Sequence, residues 1–190
     1  MNSLFLVGII LNIIKLYIAQ YETCDLFEIC SSNATVHPSE LSGIYYMIQH
    51  VSKTFFVGTT CAYINISAPE QGTMPFKQHF AITEVVDGKQ RVSDGHFYSN
   101  ETHINTVHTA LQIPTDGRFF SFNPDYFAYM SCLECGFFRR QGTGVFMHVW
   151  SRLVYPECID MDPLIASLNA CGIPSSLLVH VDHTNCEKKC

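Results

Sequence analysis

Short runs of alternating apolar and polar residues recur between residues 43 and 152, and turn residues bound each run. Alternation with a period of two is typical of a β-strand with one buried face. The longest pattern, residues 126–152, places two apolar runs around a polar turn at Arg139 to Gly144 and predicts a hairpin of two long strands. The other predicted strands are residues 43–51, 56–67, 76–86, 90–98, 104–113 and 118–122. Asp87-Gly88 and the segment from Pro114 to Gly117 are predicted turns.

Eight strands in this order predict a mainly β protein, an eight-stranded up-and-down antiparallel barrel over residues 41–152. One helix is predicted near residues 163–171, because Asp162 can cap it, Pro163 fits its first position and Gly172 follows its last turn. Residues 21–40 are predicted to form an irregular arm, and residues 153–190 hold the helix and a cysteine-bearing tail. Eight strands leave room for one small ligand.

The N-terminal run from Leu4 to Ala19 is apolar except for Asn12 and Lys15. It is short for a membrane span, so residues 1–20 are predicted to be a cleaved signal peptide rather than an anchor. No later apolar run is long enough to span a bilayer, so no integral membrane span is expected after the signal is removed. Residues 21–190 are then predicted to form one domain.

The cysteines and the glycosylation sequons agree with an extracellular, secreted protein. All nine cysteines follow the leader: Cys24, Cys30, Cys61, Cys132, Cys135, Cys158, Cys171, Cys186 and Cys190. This pattern predicts a disulfide framework in an oxidising compartment. Sequons begin at Asn33, Asn65 and Asn100. The odd number of cysteines leaves one free thiol or one bridge to a second copy or a protein partner.

Charge and motifs argue against several function classes. The net charge is −6 and the sequence contains no stripe of basic residues, so nucleic-acid binding is not expected. Cys132-x-x-Cys135 has no second pair, and its cysteines face opposite sides of a strand, which favours a structural bridge over zinc or redox chemistry. The chain shows no nucleophile elbow, phosphate loop or catalytic carboxylate pair. We therefore predict no enzyme activity, no cofactor and no metal site, and interpret His148 as a hydrogen-bonded pocket residue.

Strand alternation predicts which residues face the barrel interior. Cys61 and Asn65 share one face of their strand, and a glycan on Asn65 must point to solvent, so the alternate residues face inward. An outward Cys132 likewise turns the alternate residues of its strand inward. The predicted ligand-binding lining is Ala62, Ile64, Ile66, Phe127, Tyr129, Ser131, Phe146, His148 and Trp150. Aromatic and aliphatic residues with a few polar groups are typical of a small-molecule pocket.

The order of these elements resembles the lipocalin family, and its apolipoprotein D-like members in particular, over residues 41–186. Gly43-Ile44-Tyr45 stands where the family carries Gly-x-Trp, and Arg152 matches the arginine that packs across that aromatic ring. Residues 129–132, Tyr-Met-Ser-Cys, are similar to a Tyr-Ser-Cys strand in those members. Cys61 with the sequon at Asn65, and the tail cysteine Cys186, also have counterparts there. Tyr45 replaces the family's tryptophan, and the family's Thr-Asp-Tyr motif is replaced, with Asn-Pro-Asp-Tyr at residues 123–126.

The resemblance implies a disulfide between Cys61 and Cys186, and another from Cys132 to Cys24 or Cys30. It implies a barrel base built on Gly43, Tyr45 and Arg152. It also implies secreted binding, transport or sequestration of a small hydrophobic ligand such as a lipid, fatty acid, sterol or pigment. The alternative is a matrix or partner-binding protein with a filled interior, and a more distant one is a Cys135-dependent isomerase.

Overall fold

The computed structural model describes residues 34–51, 58–100, 103–110, 114–132, 145–155, 157, 159–170, 175–184 and 186. The strands are β1 Gly43–Val51, β2 Thr59–Ile66, β3 Phe76–Val86, β4 Lys89–Ser99, β5 His103–His108, β6 Pro114–Phe122, β7 Tyr126–Cys132, β8 Val145–Ser151 and β9 Val179–His180. One α-helix, α1, spans Asp162–Ala170, and 3₁₀ turns cover Pro38–Leu41 and Ser175–Leu177. No helix within these ranges is long and apolar enough to cross a membrane. The predictions for the leader, Cys24, Cys30 and Asn33 lie outside the described residues.

The first eight strands form one closed antiparallel sheet. From β2 to β8, each strand pairs with the strand that follows it in the chain, and β8 pairs with β1. Closure is completed between β1 and β2, where Gly43 lies opposite Ile66 and Tyr46 lies opposite Tyr63. The predicted eight-stranded up-and-down barrel with one C-terminal helix is therefore confirmed. We call the end at Gly43 the base, and the end at the β3–β4 turn the far end.

The β3–β4 hairpin confirms one predicted turn. Both strands are eleven residues long, and Val86 lies opposite Lys89 at the turn. Asp87 and Gly88 have φ angles of 51° and 72°. Two consecutive positive φ angles suit a two-residue hairpin turn whose twist matches that of its strands, and Asp-Gly is a favoured sequence for it.

The predicted turn from Pro114 to Gly117 is wrong, because these residues open β6. Pro114 lies opposite Val107 of β5, and Gly117 lies opposite Ile104. The chain leaves β5 after His108. A proline is tolerated at the first residue of a strand. Gly117 is needed here because of a neighbouring ring and not because of a turn. A Cβ at this position would overlap the ring of Tyr129.

The helix α1 covers the outside of the barrel over β1, β6, β7 and β8. Leu164 and Leu168, one helical turn apart, are fully buried. They pack on an outer apolar patch formed by Ile48, Phe120, Tyr126, Ala128, Met130, Met147 and Val149. Even-numbered residues of β7 serve this patch and its odd-numbered residues face inward, so the strand is apolar on both faces.

The last part of the predicted arm closes the base of the barrel. Val36 and Leu41 are each 1% exposed and belong to the interior core. The Gln78 amide donates a hydrogen bond to the Pro38 carbonyl at 3.0 Å, which ties the 3₁₀ turn to β3. Residues 34–37 have no regular secondary structure and residues 38–41 form a 3₁₀ turn, and together they pack into the base of the barrel.

Arg152 and Tyr45 meet at the base as the resemblance implies. The guanidinium carbon lies 4.0 Å from the centre of the Tyr45 ring. Arg152 Nη2 donates to the Tyr45 hydroxyl at 2.7 Å and to the Ser42 carbonyl at 3.0 Å. The Tyr45 hydroxyl donates onward to the Glu40 carbonyl at 2.8 Å, and burial raises the pKa of this hydroxyl. Gly43 has a φ of 115°, and a Cβ there would meet Arg152 Nη1 at 2.6 Å, so glycine allows the arginine to lie across the base.

The C-terminal tail fills the space where β1 leaves β2. On one side β9 pairs with Gln49 and His50 of β1. On the other side Asp182 bridges Thr60 of β2. Val181 between them is buried with the interior core residues. The tail thus completes the wall that β1 and β2 leave open.

A disulfide joins this tail to β2. It links Cys61 with Cys186, the pairing that the resemblance implies, across 125 residues of sequence. The Cys61 N–H also donates to the Asp182 carbonyl at 3.0 Å. The side chain of Cys132 lies outside the described part, so its bridge to Cys24 or Cys30 stays a prediction.

Replacing Arg152 with alanine should lower the free energy of unfolding by about 2–3 kcal/mol. The change removes a cation from an aromatic face and leaves buried acceptors without their charged donor. Urea denaturation of the purified protein measures the loss. Tyr45→Phe is the matched variant, because it keeps the ring and removes only the hydroxyl, and it should lose about 1 kcal/mol. Equal denaturation midpoints for Arg152→Ala and the wild type would contradict this account of the base.

The double variant Cys61→Ala/Cys186→Ala should lose about 2–5 kcal/mol of stability, because removing the crosslink releases the tail and increases the conformational entropy of the unfolded chain. Thr184→Ala is a control in the same tail segment that keeps the crosslink, and its effect should stay within about 0.5 kcal/mol. Non-reducing denaturation curves make the comparison. The assignment fails if the double variant and the control unfold at the same urea concentration.

Candidate functional site in the barrel interior

The inward face of β2 follows the predicted alternation. Ala62, Ile64 and Ile66 are at most 2% exposed, while Asn65 between them is exposed. A bulge interrupts the pairing of β2 with β3 between Thr60 and Tyr63, and Cys61 takes a φ of 52° there. The bulge includes Ala62, and the alternation of buried and more exposed residues nevertheless continues from Ala62 to Ile66.

The last two barrel strands also place most of their predicted residues inside. Phe127, Tyr129 and Ser131 of β7 and Trp150 of β8 are at most 8% exposed. Trp150 stacks on Phe127 with ring centres 6.5 Å apart and meets His148 edge-on at 6.1 Å. The side chain of Phe146 lies outside the described part, although its backbone pairs with Ser131.

A row of polar side chains crosses the interior from β5 to β1. The hydroxyls of Thr106 and Tyr129 lie 3.0 Å apart, although β6 runs between their strands. The absent side chain of Gly117 on β6 allows this contact, because the Tyr129 ring lies over it. Tyr129 is the cross-strand partner of His148, and His148 is the partner of His50. We call Thr106, Tyr129, His148 and His50 the polar row.

A third imidazole faces the same space from β5. His108 shares strand parity with Thr106, and its ring meets the Phe80 ring edge-on at 5.3 Å between centres. Phe80 belongs to the interior core. Three histidines from three strands therefore face the far half of the interior.

Burial keeps these imidazoles neutral. The pKa of His148 is lowered to about 3, mainly by burial and in smaller part by like-charge repulsion from the neighbouring His50 and His108. Burial also lowers the pKa of His50 and His108. A neutral imidazole offers one N–H donor and one acceptor nitrogen, so each ring can bind a polar group of a ligand.

The opposite side of the interior is apolar. We call it the apolar wall; it consists of Ala62, Ile64, Phe80, Ile82 and Phe97 on β2, β3 and β4. Gly95 lies on the same face as Phe97, and a Cβ there would overlap the Phe80 ring. The interior is therefore divided into an apolar wall and a polar row that face each other.

The two halves of the barrel along its axis are filled differently. At the base, Phe127 meets Tyr45 and Phe119 edge-on at 4.9 Å and 6.1 Å between ring centres, so aromatic rings occupy the space. Towards the far end, His148 faces inward and yet keeps accessible surface. His148 is thus less completely enclosed than Trp150, and the far half is where a ligand would contact the polar row.

One further interior polar atom lies on β4. Ser99 is 1% exposed, and its hydroxyl has no hydrogen-bond partner among the described residues. Buried hydroxyl groups are nearly always hydrogen-bonded, so a water or a ligand atom would complete this site.

Charged groups on inward strand positions gather at the far end. Glu84 of β3 lies opposite Arg91 of β4. Thr59 donates a hydrogen bond to Glu84 at 3.2 Å. Because these groups have opposite charge, they add no large net field to the polar row.

The structure adds interior polar residues that the sequence analysis does not identify: His50, Thr106, His108 and Thr115. Strand parity could have found Thr106 and His108, which alternate with Asn105 and Val107. Parity fails for His50, because the pairing of β1 with β8 shifts between Met47 and Gln49. Simple alternation from Tyr45 would place Gln49 inside and His50 outside. The bulge reverses this, so His50 faces inward.

The described ranges contain no group of three or more histidine, cysteine, aspartate or glutamate side chains arranged to hold a metal ion.

No protein-family profile and no curated protein sequence matches this chain. Solved structures do match it. The cockroach allergen Per a 4 has a TM-score of 0.65 at 11% identity, covering 82% of this chain and 94% of that one. Insecticyanin from the tobacco hornworm Manduca sexta has a TM-score of 0.62 at 11% identity, with coverage of 84% and 89%. An odorant-binding protein, OBP1, has a TM-score of 0.56 at 14% identity, with coverage of 78% and 94%.

The chain has the lipocalin fold. At identities this low the similarity establishes the arrangement of strands and helix and leaves the ligand open. The lipocalin calyx of this chain is the space between the apolar wall and the polar row.

Acid should destabilise the protein through the buried imidazoles of the calyx. Because the pKa of His148 is about 3 in the folded protein and about 6.5 in an unfolded chain, the unfolded chain binds more protons between these values. Stability should therefore fall as the pH drops through this window, by up to about 1.4 kcal/mol per pH unit for each such imidazole.

His148→Gln should flatten this dependence, and denaturation curves across the acidic range measure the slope. His96→Gln changes an imidazole on the outer face of β4 and should leave the slope unchanged. Equal slopes for wild type and His148→Gln would show that His148 does not stay neutral in the folded state.

Proposed function

We propose that this protein is secreted and carries or sequesters one small hydrophobic molecule in its calyx. The observation that carries the proposal is the divided interior, in which an apolar wall faces a polar row and His148 retains accessible surface. An apolar molecule gains about 25 cal/mol for each Å² removed from water, less the cost of ordering it. The polar row then selects its orientation.

The fold supports a binding role. Proteins of the same fold include an odorant-binding protein and a siderocalin that functions through dual ligand specificities. One is described as binding odorants and the other as having two ligand specificities, so the shared fold supports binding and leaves the ligand open. No described group in the interior combines a nucleophile with a base, and we propose no catalytic role.

Secretion is supported by sequence and structure together. The disulfide between Cys61 and Cys186 requires an oxidising compartment to persist. Asn65 and Asn100 both have exposed side chains, as glycan acceptors require. We extend the proposal to glycosylation at Asn33, Asn65 and Asn100, and to an apolipoprotein D-like bridge from Cys132 to Cys24 or Cys30.

Ala62→Trp should exclude bulky ligands, since it adds an indole to the apolar wall beside Ile64. Binding of an uncharged naphthylamine fluorophore, followed by its own emission, should weaken by at least about tenfold, which is about 1.4 kcal/mol. Overpacking costs about 1–3 kcal/mol of stability, so thermal melting must first show that the variant is folded.

Tyr63→Trp is the matched control, because it places an indole on the outer face of the same strand. Its affinity should equal that of the wild type. In the wild type, emission of Trp150, the only tryptophan, should change as ligand enters, since its ring contacts His148. If both tryptophan variants bind alike and no apolar probe alters Trp150 emission, carriage should be abandoned for partner binding by the outer surface.

A further inference from the structure

The polar row consists of groups that carry no fixed charge. Its hydroxyls and imidazoles can each donate and accept hydrogen bonds. The imidazoles differ from the hydroxyls because they can also take up a proton. His148 has two imidazole neighbours, His50 as its cross-strand partner on β1 and His108 on β5.

A cationic ligand does not fit this arrangement. Of the described residues at inward strand positions, Glu84 is the carboxylate, and it lies at the far end with Thr59 and Arg91 as its neighbours. A cation beside the polar row would meet imidazoles without a counter-charge, and burying an unpaired charge is strongly unfavourable.

An acidic ligand fits both walls. Its anion can accept hydrogen bonds from the Tyr129 hydroxyl and from an imidazole N–H, while its chain lies against Ile64 and Phe97. A negative charge in contact with an imidazole favours the protonated ring, because opposite charges attract strongly at low dielectric. The anion would thereby create its own counter-charge.

We propose that the calyx takes an amphipathic acid, with its carboxylate on the polar row beside His50 and His148 and its chain on the apolar wall, and that one proton enters the site with it. The proton comes from solvent and adds to a ring nitrogen of His50 or His148, so the bound pair is an imidazolium and a carboxylate. This inference rests on the proposed carriage and names the class of ligand.

The groups that face this pair set the direction of the pH dependence. His108 and Tyr129 are the other titratable groups beside this pair. The charged side chains at inward strand positions are Glu84 and Arg91. Among the described residues, β2 and β6 place no titratable side chain inside. The empty site is neutral near pH 7 because burial lowers the pKa of all three imidazoles. A bound anion raises the pKa of its neighbour, so affinity for an anion should increase as the pH falls.

Three ligands of equal chain length test the proposal by isothermal titration calorimetry: dodecyl sulfonate, dodecanoate and dodecanol. The sulfonate does not titrate, so any proton taken up with it must go to the protein. Between about pH 7.5 and about pH 5.5 its dissociation constant should fall by up to about tenfold per pH unit, and dodecanoate should show the same trend. The affinity for dodecanol should not change. Titration in two buffers of different ionisation enthalpy should give an uptake of close to one proton for each sulfonate bound.

The variants His50→Gln and His148→Gln keep a hydrogen-bonding side chain and remove the titratable ring. The double variant His50→Gln/His148→Gln should abolish the proton uptake and flatten the pH dependence for the sulfonate, and the two single variants show which ring takes the proton. His96→Gln, on the outer face, should behave as the wild type. Melting curves establish that each variant is folded, and the proton count of the wild type tests the proposal without any substitution.

The outcomes separate this inference from the carriage on which it depends. If dodecanol binds but the sulfonate binds without proton uptake, or not at all, the carriage proposal stands and the acid site is wrong. If proton uptake persists in the double variant His50→Gln/His148→Gln, the assignment to His50 and His148 is wrong. If none of the three ligands binds, carriage itself fails.

Discussion

The pairing of β1 with three neighbours is the constraint on which barrel closure and the chemistry of the interior both depend. Its residues from Gly43 to Tyr46 pair with β2, those from Tyr46 to Val51 pair with β8, and Gln49 and His50 pair with β9. To serve all three neighbours the strand bends at a bulge after Met47. That bulge turns His50 inward beside His148, so the geometry that closes the sheet also builds one end of the polar row.

The base and the far half of the barrel meet different physical requirements. At the base, Arg152 is held by the Tyr45 ring and by backbone carbonyls, and the aromatic rings above it leave little unfilled volume. Close packing of this kind stabilises the closed barrel. In the far half, neutral imidazoles and hydroxyls replace apolar side chains, which lowers stability but supplies groups that can bind a ligand. The barrel therefore has a closely packed base and a far half whose polar groups can bind a ligand.

Alternation predicted most of the fold because it is a local property of the backbone. Ile64 and Ile66 lie inside since the pairing of β2 with β3 is regular from Tyr63 onward, and Asp87-Gly88 turns the chain because both residues accept positive φ. Alternation does not predict features set by contacts distant in sequence. Gly117 lies in a strand since Tyr129 needs its space, and Val181 is buried because β1 and β2 part there. His50 faces inward because of a bulge in β1 that the local sequence pattern does not predict.

The central claim is that the calyx holds a small, largely apolar molecule, and native mass spectrometry tests it most directly. The protein would be recovered from the medium of secreting cells, measured, stripped with organic solvent, and measured again after incubation with the extract. The account predicts a single small-molecule adduct at one per chain that is lost on stripping and regained on incubation. A bare protein mass before stripping, and no uptake of any component of a total lipid extract afterwards, would contradict it.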